Sequence, residues 1–173
     1  MVERMNEAAA GGSGVRRLVG RELWRLAIPV LWLGMVGAIS FIEAPLKFQA
    51  PGITIPLGLG IGRLVFLALN IAEALLLVAL LLLSFWPGAL RPSRARVTSL
   101  LALAVIFVGK VALVRPPLNA RTDAVLAGAD PGQSPWHYVY IACDLATMVL
   151  LLVIAVQAGR AILRAASNSE VRA

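Results

Sequence analysis

Residues 57–86 read LGLGIGRLVFLALNIAEALLLVALLLLSFW, and the reading of this run decides the fold. Only Arg63 and Glu73 carry charge in it, and residues 74–83 are an unbroken series of Ala, Leu and Val without the apolar–polar alternation of a half-buried strand. A bilayer core about 30 Å thick is crossed by roughly 20 apolar residues rising 1.5 Å each. Backbone N–H and C=O groups in lipid must be satisfied within the protein, which leaves helices or closed barrels, and barrels need alternating strands of about ten residues. The run therefore predicts a transmembrane helix.

Three more runs of the same kind flank it: 26–42 without a charge, 97–114 with Lys110, and 138–158 with Asp144. Together they predict an all-α membrane protein, a four-transmembrane-helix bundle with antiparallel, up-down connectivity. Composition agrees, since 60% of the 173 residues are apolar and 14% charged, against about 45–50% and 25% in an ordinary globular domain. A mean hydropathy of +0.85 leaves more apolar surface than a core of this size can hide. A soluble enzyme, a nucleic-acid-binding module and a disordered tail are excluded, although a net charge of +7 alone would suggest nucleic acid.

The basic residues instead predict orientation, because cytoplasmic loops hold an excess of Lys and Arg. Arg4, Arg16, Arg17, Arg21 and Arg25 precede the first run, Arg91, Arg94 and Arg96 lie in the second connection, and Arg160, Arg164 and Arg172 follow the last run. The other two connections hold only Lys47, Arg115 and Arg121. Both termini are expected in the cytoplasm of a cell (cytoplasmic or inner) membrane, with anionic lipid headgroups as partners of the arginines. A cleaved signal peptide over 26–42 is the competing reading; the long polar region ahead of it and the charge pattern favour a retained span.

Residues 1–21, with Ala8 to Gly14 all Ala, Gly or Ser, read as a flexible cytoplasmic leader. Residues 22–164 form the transmembrane domain and 165–173 a cytoplasmic tail. Pro87-Gly88 ends the second helix, and a short connection makes the second and third helices antiparallel neighbours. The other two connections, proline-rich at 43–56 and from Arg115 onward, are expected to hug the outer surface. Trp136, Tyr138 and Tyr140 fit an interfacial aromatic belt.

Ionisable residues inside spans are costly in lipid and mark a site or an ion pair. Arg63, Asn70 and Glu73 fall along one side of the second helix by helical spacing. With Lys110 and Asp144 they make a polar intramembrane cluster, two positive and two negative charges with one amide. One reading pairs Lys110 with Glu73 or Asp144 to hold the helices in register. The other opens a polar cavity to the outer face, rimmed by Glu43, Lys47, Arg115 and His137 and closed at the bottom by Glu73.

Metal ligation is not expected: His137 is the single histidine and Cys143 the single cysteine, whereas zinc takes three or four ligands, most often N and S. No cofactor is expected, and no residue can be assigned as catalytic, since Ser134 near His137 forms no recognisable nucleophile elbow. Gly58-Leu59-Gly60-Ile61-Gly62 does not match a dinucleotide fingerprint and no strand precedes it. Its glycines, with Gly34 and Gly37, are read as sites of close helix approach.

FIEAPLKF at 41–48, the helix with Asn70 and Glu73, and RPPLNAR at 115–121 before an aromatic fourth span form a recognisable set. On these residues, over about 22–160, the chain resembles small four-span bacterial integral membrane proteins, themselves similar to a eukaryotic four-span transmembrane family of like size. The resemblance implies the fold and no activity; the recurring features map to Pro45, Pro116, Pro117 and Arg121. Missing catalytic parts favour an accessory or structural component of a larger membrane complex. The alternatives are a small carrier or binding protein for a lipid-like or cationic solute, and a membrane oxidoreductase or oxygenase using His137 and Asp144 on a hydrophobic substrate.

Overall fold

The computed structural model describes the backbone of residues 2–86, 92–130, 132 and 134–170, and the side chains of those from 19 to 167. Pro87-Gly88, Arg91 and the side chains of Arg4, Arg16, Arg17 and Arg172, used above for connectivity and orientation, lie outside the described residues. Among the described residues there is no strand. Helix α1 (Val2–Val36) begins within the segment read as a leader and runs into a π-helical segment, Gly37–Glu43, then a short α2 (Ala44–Leu46) and a 3-10 turn at Lys47–Gln49. Helix α3 (Ile55–Phe85) is followed by α4 (Arg94–Gly109), a second π segment (Lys110–Val114) and α5 (Arg115–Leu126), and then by α6 (Pro135–Glu170).

These elements make four helical spans long and apolar enough to cross a membrane: Val19–Gln49, Ile55–Phe85, Arg94–Leu126 and Pro135–Ser167. This is the architecture of a multi-pass membrane protein. Each span has 31 to 33 residues, about 45–50 Å at 1.5 Å per residue, so the helices tilt or project beyond a core of about 30 Å. Thr54 caps α3 by accepting from the Leu57 N–H, and Ser93 does the same for the Arg96 N–H at the start of α4.

The first and third spans are longer than the apolar runs predict. Proline does not end either helix: Pro45 and Pro116 each come two residues after a π segment, and Pro116-Pro117 occupies the first turn of α5. A proline removes a ladder donor and crowds the preceding turn, and a wider π turn before it absorbs both effects, so the helix continues. The expected outer connections therefore shrink. One is Ala50-Pro51-Gly52-Ile53, closed by Ile53 N–H donating to Ala50 C=O (3.2 Å), with Gly52 at φ +82° as a type II turn demands. The other leaves α5 through a Schellman motif, in which Ala129 donates to Ala124 and Gly128 (φ +89°) to Val125, both at 3.0 Å.

The core is built where apolar stripes meet: Trp32 and Val36 from α1, Leu69, Leu77 and Leu80 from α3, Leu100 and Leu103 from α4, Leu151 and Ile154 from α6. Packing is most extensive between α1 and α6, and α3 meets the third span mainly through α5. Leu64, Leu75, Val105, Leu113, Val149 and Leu152 point outward with more than half their surface exposed, as lipid-facing residues do. Of the glycines read as helix contacts, Gly58 and Gly62 lie against Phe48 and Lys47, and Gly37 touches Met148. Gly34 faces open space and makes no such contact.

Candidate functional site

All four spans contribute to one buried polar cluster. Lys110, the first residue of its π segment, donates to both Glu73 oxygens (2.9 and 2.8 Å) and to Asp144 Oδ1 (2.8 Å). Trp32 Nε1 donates to Glu73 Oε1 at 3.0 Å and Ser40 Oγ to Asp144 Oδ2 at 2.6 Å. The side chains of Lys110, Glu73 and Asp144 have no exposed surface. Charges are tolerated at such depth only when paired and hydrogen-bonded, and every oxygen of both carboxylates here receives a donor. Beside the cluster, Tyr140 donates to Asn70 Oδ1 at 3.1 Å and places its ring 5.2 Å from the Lys110 ammonium.

The alternatives left by the sequence resolve to both: Lys110 pairs with Glu73 and with Asp144. Arg63 does not join them, because its helical position turns it toward α5, where it pairs with Asp123. Tyr140 is not a belt residue; it is buried at 7% exposure, while Trp136 and Tyr138 remain exposed. Trp32 and Ser40 were not legible as site residues, the first lying in an apolar run and the second being one hydroxyl among small residues. Their signal was spacing alone, since Trp32 and Val36 share a helix face with the start of the π segment.

A cavity of about 420 Å³ opens above the cluster, at the end of the bundle that holds the 50–53 turn and the connection after α5. That is within the roughly 300–1,000 Å³ of small-molecule sites. Phe41, Phe48, Leu59, Phe66, Leu118 and Ile141 supply apolar walls. Of the expected rim, Lys47, Arg115 and His137 line it, whereas Glu43 stands behind and pairs with Lys47 at 3.3 Å. The floor is Ser40 and Tyr140, with Asp144 closed off directly beneath them, and Glu73 is sealed deeper by Lys110 and Trp32. Arg63 lines the mouth, tied to Asp123.

The cations of the cavity differ in their partners. Lys47 has Glu43 and the rings of Phe48 and Phe66, each 5.7 Å away, and Arg63 has Asp123. Among the described residues, no hydrogen bond or ion pair engages the Arg115 guanidinium, half-buried in the cavity wall. No three His, Cys, Asp or Glu side chains among the described residues gather to hold a metal ion. No protein-family model, curated protein or solved structure matches the chain.

The opposite end carries a second charged network that the sequence presented only as an orientation signal. Arg25, 4% exposed, donates to Glu22 (2.5 Å) and to the C=O groups of Leu83 (2.5 Å) and Ser84 (3.4 Å). Those carbonyls belong to the last turn of α3, which has no intrahelical donors left for them. Arg96 forks onto both Glu22 oxygens at 3.0 Å, a bidentate geometry favoured by the planar guanidinium. The network ties the first, second and third spans together away from the cavity.

Proposed function

We propose that this multi-pass membrane protein is a small binding or carrier protein for a lipid-like amphiphile, which it holds in the cavity above the Lys110 cluster. The observation that supports this reading is Arg115, a guanidinium that has no counter-ion among the described residues, in the wall of a largely apolar cavity. An amphiphile satisfies both features: its chain covers Phe41, Phe48 and Leu118, and its acidic headgroup accepts from Arg115 in a bidentate way. The buried Lys110–Glu73–Asp144 triad fixes the floor against which the headgroup rests. In the proposed orientation both termini are in the cytoplasm of a cell membrane and the cavity opens outward, with anionic headgroups around Arg94, Arg160 and Arg164.

Native mass spectrometry of the gently purified protein tests this reading. The expected spectrum shows a discrete added mass, absent from Arg115→Gln, with the thermal midpoint of the two proteins the same once both are stripped of ligand. A chain carrying only bulk lipid, or one held by a larger membrane protein while Arg115→Gln merely lowers its abundance, contradicts this reading in favour of an accessory subunit.

A further inference from the structure

We infer that the amphiphile is a lipid of the leaflet on the cavity side, captured sideways through a seam between the end of the first span and α6; the inference rests on the binding function just proposed. The other walls close by identifiable contacts. Gly58 and Gly62 of α3 lie against Phe48 and Lys47. Arg63 pairs with Asp123, and Gly60 faces Leu126, between α3 and α5. At this end α5 and α6 are joined by their own connection, where Arg121 Nε donates to Gly132 C=O at 3.1 Å. The first span and α6 meet where Gly37 lies against Met148 and Ser40 donates to Asp144 (2.6 Å), and beyond Ser40 they part. Neither α2 nor the 3-10 turn at Lys47–Gln49 has more than marginal contact with α6. Phe41, Pro45 and Phe48 line the cavity and are exposed as well, Phe41 at 38% and Phe48 at 37%. His137 and Ile141 edge the opposite side of the seam.

The seam falls at hydrocarbon depth. Exposed Trp24 and Trp86 mark one interface, and exposed Trp136 and Tyr138 the other. At 1.5 Å per residue, Phe41 stands about 25 Å along its span from Trp24, short of the roughly 30 Å core, and Ile141 about 7 Å inward of Trp136. By the same measure Arg115 is about 28 Å from Arg96, at the edge of the core where headgroups begin. A lipid therefore brings its phosphate to Arg115 at its own depth in the leaflet, while its chain passes between Phe41 and Ile141. The guanidinium, which has no ion pair among the described residues, gains a bidentate acceptor. A cavity of about 420 Å³ suits a headgroup with the start of a chain, and the seam leaves the remainder in the bilayer. A route through water would strip the whole chain from lipid, at a cost that grows with each methylene.

Spin labelling of the full chain in phosphatidylcholine vesicles, with and without phosphatidylglycerol, tests the seam. In a Cys143→Ser background, a nitroxide is placed on Phe41→Cys and, in a second protein, on Ile71→Cys at the lipid-facing side of α3. The label at 41 is expected to collide more with membrane-dissolved oxygen than with a water-soluble nickel chelate, as the label at 71 does. Phosphatidylglycerol is expected to restrict the motion of the label at 41 and not of that at 71, and Arg115→Gln to remove the restriction. Water-soluble glycerol phosphate is expected to leave both spectra unchanged. Native mass spectrometry of the same samples reads the retained lipid; where the label at 41 itself prevents retention, Pro45→Cys carries the label and the same outcomes apply. Side entry is overturned if the nickel chelate dominates in the seam, if glycerol phosphate restricts the label, or if lipid is retained without restricting it. Each of these leaves an amphiphile-binding protein standing. Retention of no lipid by the unlabelled protein overturns both.

Discussion

Lys110 donates to carboxyl groups on two other spans, so its removal leaves both buried carboxyl groups without their shared donor. Breaking a buried ion pair from one side costs about 3–5 kcal/mol, whereas replacing all partners by apolar or neutral groups of similar size is often close to neutral. Lys110→Met is therefore expected to lower thermal stability in detergent by about that amount, and adding Glu73→Gln and Asp144→Asn is expected to restore most of it. Equal loss in the single and triple variants would mean that packing, not charge, holds the cluster. Trp32→Phe keeps the ring and loses one bond to a carboxylate, an expected cost of about 1.5–3 kcal/mol in the same assay. Lys110, Glu73, Asp144 and Asn70 were legible as intramembrane polar residues because lipid makes each of them expensive. Their partners were not, because Ser40 and Trp32 are ordinary inside an apolar run. Arg63 was legible as a charge and misplaced as a neighbour, because helical spacing gives a face and does not tell which helix that face meets.

The two π segments are the elements that shape the cavity. Each precedes a proline by two residues, and each sets one polar group against Asp144: Ser40 from the first, Lys110 from the second. Hydropathy located the four helices but stopped the first and third too early, since Pro45 and Pro116 read as loop residues. A π turn leaves no composition signature, which is why the longer helices were hidden. Gly58 makes a prediction at the same scale. A Cβ there would run into the Phe48 ring, whereas one at Gly34 meets nothing within 4 Å. Gly58→Ala is expected to push the Phe48 ring aside at a cost of about 1–3 kcal/mol and to reduce ligand retention. Gly34→Ala is expected to change stability by about 0.5 kcal/mol or less. Thermal unfolding of the pair, read with native mass spectrometry, checks both; equal behaviour would contradict the contact.

For the whole molecule, the four-span helical bundle followed from apolar run length, while the way the spans lean together did not. The strong pairing of α1 with α6, and of α3 with α5, depends on which stripes match in shape, information spread over many Leu and Val positions that look alike in sequence. Orientation belongs to this scale as well. A reporter fused after Ala173 is expected to be active in the cytoplasm, and one inserted after Gly128 outside it; the reverse pattern would invert the bundle. The central claim is that the cavity, rather than the general lipid-facing surface, holds the ligand. A photoactivatable diazirine amphiphile with a phosphate headgroup, crosslinked in membranes and mapped by peptide mass spectrometry, tests it most directly. The account predicts labels concentrated on Phe41, Phe48 and Leu118, and lost from them in Arg115→Gln. Labels spread evenly over Leu75, Val105 and Leu152, and unchanged in that variant, would contradict it.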